Sequence, residues 1–69
     1  MKLARVIYRD IPWYLSDGPL INPEVGTIVQ VERKTYDFSG IVTYVVHFPG
    51  RVGVKELEVS AFNRYFEFL

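Results

Sequence analysis

Apolar and polar residues alternate at every second position in several short runs of this chain. The strongest strand prediction is Ile41–Phe48, in which Val42, Tyr44, Val46 and Phe48 fall on one face. A period of two is typical of a half-buried β-strand, because successive side chains point to opposite faces of a sheet. The same pattern predicts four further strands, which are Leu3–Arg9, Thr27–Lys34, Val54–Val59 and Tyr65–Leu69.

The connections between these strands are unequal in length. Residues 10–26 form a long predicted loop that contains Pro12, Asp17-Gly18-Pro19 and Asn22-Pro23, each of which favours a turn. The later connections are short: residues 35–40 predict a hairpin, Pro49-Gly50 predicts a type II turn, and residues 60–63 predict one turn of helix. A loop this long in so short a chain is a candidate for function.

The chain contains more apolar residues than the inner face of one small barrel can bury. The predicted core consists of Ala4, Val6, Tyr8, Val29, Val31, Val42, Tyr44, Val46, Phe48, Leu57, Val59, Phe66 and Phe68. The apolar residues left over are Ile7, Ile28, Ile41 and Val45 on outer faces, and Ile11, Trp13, Tyr14, Leu15, Leu20, Ile21, Tyr36 and Phe38 in loops. If these surplus residues gather into one patch, they mark an interface.

The composition agrees with an all-β fold. Valine, isoleucine and threonine make up more than a quarter of the 69 residues, and cysteine is absent, so neither a disulfide nor a thiolate zinc site can stabilise the chain. We therefore predict a single domain, residues 1–69, that folds as a small five-stranded barrel. The barrel has a long first loop and a short helical turn before its last strand.

The sequence rhythm resembles that of Src-homology-3-like β-barrels. The resemblance is carried by Pro23-Glu24-Val25-Gly26-Thr27-Ile28-Val29-Gln30-Val31, then Tyr44-Val45-Val46-His47-Phe48, then Leu57-Glu58-Val59. Similar rhythms occur in barrels that serve as small accessory subunits of larger assemblies. The matching positions are those that any such barrel needs for its core, so the resemblance implies the fold and leaves the function open.

Charge and chemistry narrow the classes of function. Eight basic and eight acidic side chains give no net charge, and no run approaches the ~20 apolar residues that span a bilayer. Charged residues interrupt the first ten positions, so no signal peptide is predicted and we expect a soluble cytoplasmic protein. No nucleophile lies at a spacing from the one histidine, His47, that would indicate catalysis. The carboxylates are scattered along the chain and match no metal-ligand spacing. The sequence therefore predicts no enzyme, no metal and no cofactor.

The leading expectation is a protein-binding module. Trp13, Tyr14, Tyr36 and Phe38 are the predicted anchors, because adjacent aromatics after a proline cannot easily both point inward and because aromatics dominate binding at interfaces. The partner would be another protein, a larger complex or a second copy of the chain. The role would be that of an accessory, assembly or inhibitory subunit.

Three other interpretations stay open. The long loop could instead cap the barrel with Trp13, Leu15, Leu20 and Ile21. A nucleic-acid surface could use Arg5, Arg9, Arg33 and Lys34 with aromatic stacking, although Asp10, Glu32 and Asp37 lie beside them. Residues 6–10 also resemble the first strand of peptide-binding Src-homology-3 domains, but the tandem tryptophan and acidic loop of those domains are missing.

Overall fold

A computed structural model describes residues 1–10, 12–15 and 20–69 of the chain. In chain order, the elements of these residues are β1 (Lys2–Val6), β2 (Trp13–Tyr14), β3 (Leu20–Ile21), β4 (Ile28–Thr35), β5 (Val42–His47), a 3-10 turn (Pro49–Arg51), β6 (Val54–Glu58), α1 (Val59–Tyr65) and β7 (Phe66–Phe68). Five strands form one antiparallel sheet in the order β6-β5-β4-β1-β7, and β2 pairs with β3. The predicted all-β character is confirmed.

The alternating pattern predicts all five strands of the large sheet, and the predicted strand ends differ from the observed ends by up to three residues. The helical turn before the last strand is longer than predicted and covers Val59–Tyr65. Gly50 has the positive φ of 76° that the turn after Pro49 requires. Among the described strands, β6 and β7 are the edges of an open sheet, so the large sheet is not a closed hydrogen-bonded barrel.

The pairing register gives the large sheet an inner and an outer face. Ala4 lies opposite Val29, and Val31 lies opposite Val46, and all four side chains are buried. Helix α1 adds Phe62 to this inner face, and its ring stacks on Phe66 with the centroids 5.1 Å apart. Burial of these apolar side chains is the main source of stability in a domain this small.

The predicted core is wrong at Tyr8, which is half exposed. Strand β1 ends at Val6, and the Ile7 N–H then donates to the Tyr65 carbonyl, so the alternation does not continue to Tyr8. Phe68 is also partly exposed, whereas Trp13, Leu15 and Phe62 belong to the core. The period-two pattern fails at the points where a strand ends or a loop folds back.

The long first connection folds back over the inner face. It contains the β2–β3 pair, in which Trp13 lies opposite Ile21. Leu15 packs tightly on Gly53, because a Cβ added to Gly53 would lie 2.9 Å from Leu15 Cδ1. The predicted turn at residues 17–19, and the surplus Ile11, lie outside the described residues. Trp13 and Leu15 are buried, as expected if the long loop caps the sheet. Leu20 is exposed and does not take part in this cap.

Candidate functional site

Trp13 is a core residue, so it is not a surface anchor. Its side chain is only 9% exposed, and its ring contacts the rings of Tyr65, Phe66 and Phe48 at centroid distances of 5.0, 5.3 and 6.0 Å. Successive residues of a strand point to opposite sides, so Tyr14 points outward and is 70% exposed. Of the two adjacent aromatics, one completes the core and the other is available to a partner.

The turn between β4 and β5 projects three apolar side chains from the protein. Phe38 at its tip is fully exposed, and Tyr36 and Ile41 are exposed at its base. The backbone is fixed, because the Tyr36 N–H donates to the Ile41 carbonyl and the Gly40 N–H donates to the Tyr36 carbonyl, each at 2.9 Å. We call residues 36–41 the exposed hairpin.

The base of the exposed hairpin is tied to the outer face of the sheet. The Tyr36 hydroxyl and the Thr43 hydroxyl donate to the same carboxylate oxygen of Glu56, the latter at 2.7 Å. These two hydrogen bonds stabilise the charged carboxylate and lower the pKa of Glu56. Lys34 Nζ lies 4.9 Å from the centroid of the Tyr36 ring, and the interaction with Tyr36 raises the pKa of Lys34. Tyr36 is therefore a positioned side chain.

Strand β6 also connects the exposed hairpin with the loop that carries Tyr14. Lys55 Nζ donates to the Tyr14 carbonyl at 3.0 Å, and the next residue is Glu56, which accepts from Tyr36. Because consecutive strand residues point to opposite faces, the two loops approach this edge strand from its two sides. Tyr14, Tyr36 and Phe38 are thus exposed aromatics on loops attached to one strand.

The four basic residues of the nucleic-acid alternative do not share one face. Arg5 and Lys34 lie on the outer face, and Arg33, which pairs with Tyr44, lies on the inner face. Arg5 forms an ion pair with Glu67, and Arg9 forms one with Glu24 at 3.3 Å. A phosphate backbone would therefore meet separate cations, two of which are already paired with carboxylates.

His47 lies on the outer face beside Glu32. Its Nε2 atom is 3.7 Å from Glu32 Oε1, is buried, and makes no hydrogen bond within the described residues. The pair becomes an ion pair only when the imidazole is protonated. In the part of the chain that the structure describes, no three histidine, cysteine or acidic side chains are grouped so that they could hold a metal ion.

The exposed ring of Tyr8 stacks on the partly buried ring of Tyr65, a pairing that the sequence pattern does not predict. Tyr8 and Tyr65 stack with their ring centroids 6.0 Å apart, and the Tyr65 hydroxyl donates to Asp10 Oδ2 at 3.3 Å. The sequence placed Tyr8 in the core because the alternating pattern continues past the end of β1. The neighbouring charges, Arg9 and Asp10, were the available signal that the strand ends there.

Among the described residues, no helix is long and apolar enough to cross a membrane. Comparisons of the chain with protein-family models, with curated proteins and with solved structures find no match.

Proposed function

We propose that the chain is a Src-homology-3-like barrel that acts as a non-enzymatic, cytoplasmic protein-binding module. Three features of the fold support this architecture. The strand order is β7-β1-β4-β5-β6, a long folded connection separates the first two strands of the sheet, and a short helix precedes the last strand. Such a module would work as an accessory, assembly or inhibitory subunit.

The observation that carries the proposal is the full exposure of Phe38 on a fixed turn. Burying a phenylalanine side chain contributes about 1.5–3 kcal/mol, and Phe38 contributes none of this to its own fold. A turn held by hydrogen bonds presents the ring with little ordering cost on binding. Phe38 would therefore enter an apolar pocket of the partner protein, with Tyr36 and Ile41 packed at the rim.

Polar groups around Phe38 give the surface a mixed rim. Lys34 precedes the exposed aromatics Tyr36 and Phe38 in sequence, and Asp37 lies between them. Tyr14 provides a further exposed ring on the other side of β6. An apolar centre with a polar rim is the usual arrangement of a protein interface. A second copy of the chain is the alternative occupant.

The proposal is tested with two matched variants, Phe38→Ser and Val25→Ser. Both replace an exposed apolar side chain in a turn, and only the first alters the exposed hairpin. Tagged protein would be used to capture partners from lysate of the source cells, with and without nuclease, at about 50 and about 200 mM salt. We expect one protein to be retained by the native chain and by Val25→Ser and to be lost with Phe38→Ser.

Two results would contradict this function. Equal capture of that protein by Phe38→Ser would exclude the exposed hairpin as its binding surface. Recovery of nucleic acid that is lost with rising salt would instead favour Arg5, Arg9, Arg33 and Lys34 as the binding residues. If sedimentation of the purified chain shows a dimer, the partner is a second copy of the chain.

The stacked Tyr8–Tyr65 pair favours a second binding mode, recognition of a proline-rich peptide. Exposed aromatic ridges bind the polyproline helix because that helix is already ordered in the free peptide. The Tyr65 ring is fixed between Tyr8 and Trp13. Titration of a proline-rich peptide should shift the ring signals of both tyrosines, and Tyr8→Ala should abolish the binding. Unshifted ring signals at saturating peptide would exclude this mode.

A further inference from the structure

A cavity of about 330 Å³ opens at one end of the inner face. Its lining includes two basic residues, Lys2 and Arg33, and two aromatic residues, Tyr44 and Phe68, above Val31. None of these residues belongs to the exposed hairpin.

The register shows why these side chains converge. Lys2 lies directly opposite Val31, and Arg33 follows two residues later on the same face of β4. Such diagonal neighbours have Cα atoms about 7–8 Å apart, within reach of long side chains. On the next strand Tyr44 lies opposite Arg33, and on the other side Phe68 lies opposite Ala4, diagonal to Lys2. Four adjacent strands thus contribute to one cleft.

The cleft combines free positive charge with aromatic walls. Lys2 Nζ lies 5.5 Å from the centroid of the Phe68 ring, and the Tyr44 and Phe68 rings meet edge to face at 5.4 Å. Within the described residues, no carboxylate pairs with Lys2 or Arg33. Glu32 lies on the rim, but its Oε1 atom is beside His47 on the outer face. Among the described residues, the positive charge in the cleft is therefore not neutralised by an ion pair.

We propose that this cleft binds a small anion that carries a flat aromatic ring. The carboxylate or phosphate group would lie between the Lys2 ammonium and the Arg33 guanidinium, whose planar fork matches the geometry of either anion. The ring would pack against Phe68 and Tyr44 over Val31. An aromatic carboxylate and a nucleoside monophosphate share this chemistry.

The test is an NMR titration of the purified chain with phenyl phosphate, followed by inorganic phosphate and phenol as the two half-ligands. We expect the ring signals of Tyr44 and Phe68 to shift, and phenyl phosphate to bind at least about tenfold more tightly than either half-ligand, because charge and ring contribute together. Benzoate and adenosine monophosphate then distinguish the two sources of the ligand. Binding of inorganic phosphate as tight as that of phenyl phosphate would overturn the proposal.

Charge-removing variants separate the cleft from general attraction of anions. Lys2→Met and Arg33→Met should each weaken phenyl phosphate binding by about tenfold, because each removes one charged hydrogen-bond donor. Arg64→Met makes the same change of charge on the exposed face of α1 and should leave the affinity unchanged. Lys2 and Arg33 are both exposed, so their variants should remain folded. Thermal unfolding of each variant checks this. Equal weakening by all three variants would contradict a defined site.

Discussion

The two aromatic loops of this protein have opposite relations to its core. In the β2–β3 segment, Trp13 and Leu15 are buried against Phe48 and Gly53. In the exposed hairpin, the side chain of Phe38 is fully exposed to solvent. The two loops have similar aromatic content. The difference is that one crosses the open inner face of the sheet and the other extends beyond the end of the β4–β5 pair.

The comparison shows that aromatic residues in a loop do not by themselves indicate an interface. An open sheet has a half-covered inner face, and a loop that crosses it buries its apolar side chains there. A turn that only continues two paired strands has no such face within reach. An exposed aromatic on the second kind of loop is the stronger indication of binding.

Removing the Trp13 side chain should have the largest effect of any change in either loop. Trp13→Ala leaves a cavity bounded by three rings and should destabilise the protein by about 3–5 kcal/mol. At roughly 0.05–0.15 kcal/mol per residue, a chain of this length has only about 3–10 kcal/mol of stability. We therefore expect the variant to lose a large part of its stability, and its thermal midpoint, followed by circular dichroism, to fall by more than about 10 °C. A change in midpoint of a degree or two would show that Trp13 is not part of the core.

The contact between Leu15 and Gly53 should give the next largest effect. Gly53 has φ of 149°, and a Cβ at this position would clash with Leu15 Cδ1, so Gly53→Ala should cost about 1–3 kcal/mol. Gly26→Ala is the control, because Gly26 also has positive φ but a Cβ added there would have no neighbouring atom within 4 Å. Urea unfolding should show the larger loss for Gly53→Ala. Equal losses would mean that the loop does not pack there.

Tyr36→Phe should produce a smaller effect, seen mainly as pH dependence. The Tyr36 hydroxyl lowers the pKa of Glu56, so this carboxylate contributes stability above its unfolded-state pKa, near the ordinary value of 4.5, and loses it as the pH falls through the lower folded-state pKa. Without the hydroxyl, the pKa of Glu56 should rise toward 4.5, and the loss of stability in acid should be less steep.

NMR titration of the Glu56 side chain measures this shift directly. Tyr14→Phe is the control, because the side chain of Tyr14 is exposed and the hydrogen bond from Lys55 of β6 goes to its backbone carbonyl. An unchanged Glu56 titration in Tyr36→Phe would mean that the exposed hairpin is not tied to the sheet through this carboxylate.

Phe38→Ser should have the smallest effect on stability. Substitutions of fully exposed side chains usually change the free energy of unfolding by less than about 0.5 kcal/mol. The urea midpoint should therefore match that of the native chain. A loss of more than about 1 kcal/mol would place Phe38 in a contact within the fold and remove the argument for binding.

The large sheet could be predicted from the sequence because its signal is local. In β4 and β5, apolar residues recur at every second position of the inner face, although Ile28 and Val45 add apolar side chains to the outer face, and the period of two is a property of each strand alone. The core contribution of Phe62 and the exposure of Tyr8 could not be predicted in this way. Both depend on where a strand ends and where α1 packs, and these are set by contacts between residues far apart in the chain.

The candidate sites depended even more on the tertiary fold. The exposure of Phe38 followed from its place in a short turn, so the hairpin was predicted as a surface. The cleft at Lys2 and Arg33 has no sequence signature, because it is created by the register of β1 against β4. Arg33 appeared in the sequence as a neighbour of Lys34, whereas the strand geometry places these two residues on opposite faces.

The most direct test of the contrast between the loops compares two single-tryptophan proteins. The native chain has Trp13 as its one tryptophan, and Trp13→Phe combined with Phe38→Trp moves it to the tip of the exposed hairpin. Acrylamide quenching reports the access of solvent to the indole ring in each protein. We predict that the tryptophan at position 38 is quenched about as readily as free tryptophan, and that Trp13 is quenched several-fold more slowly. Equal quenching of the two would contradict the assignment of one loop to the core and the other to binding.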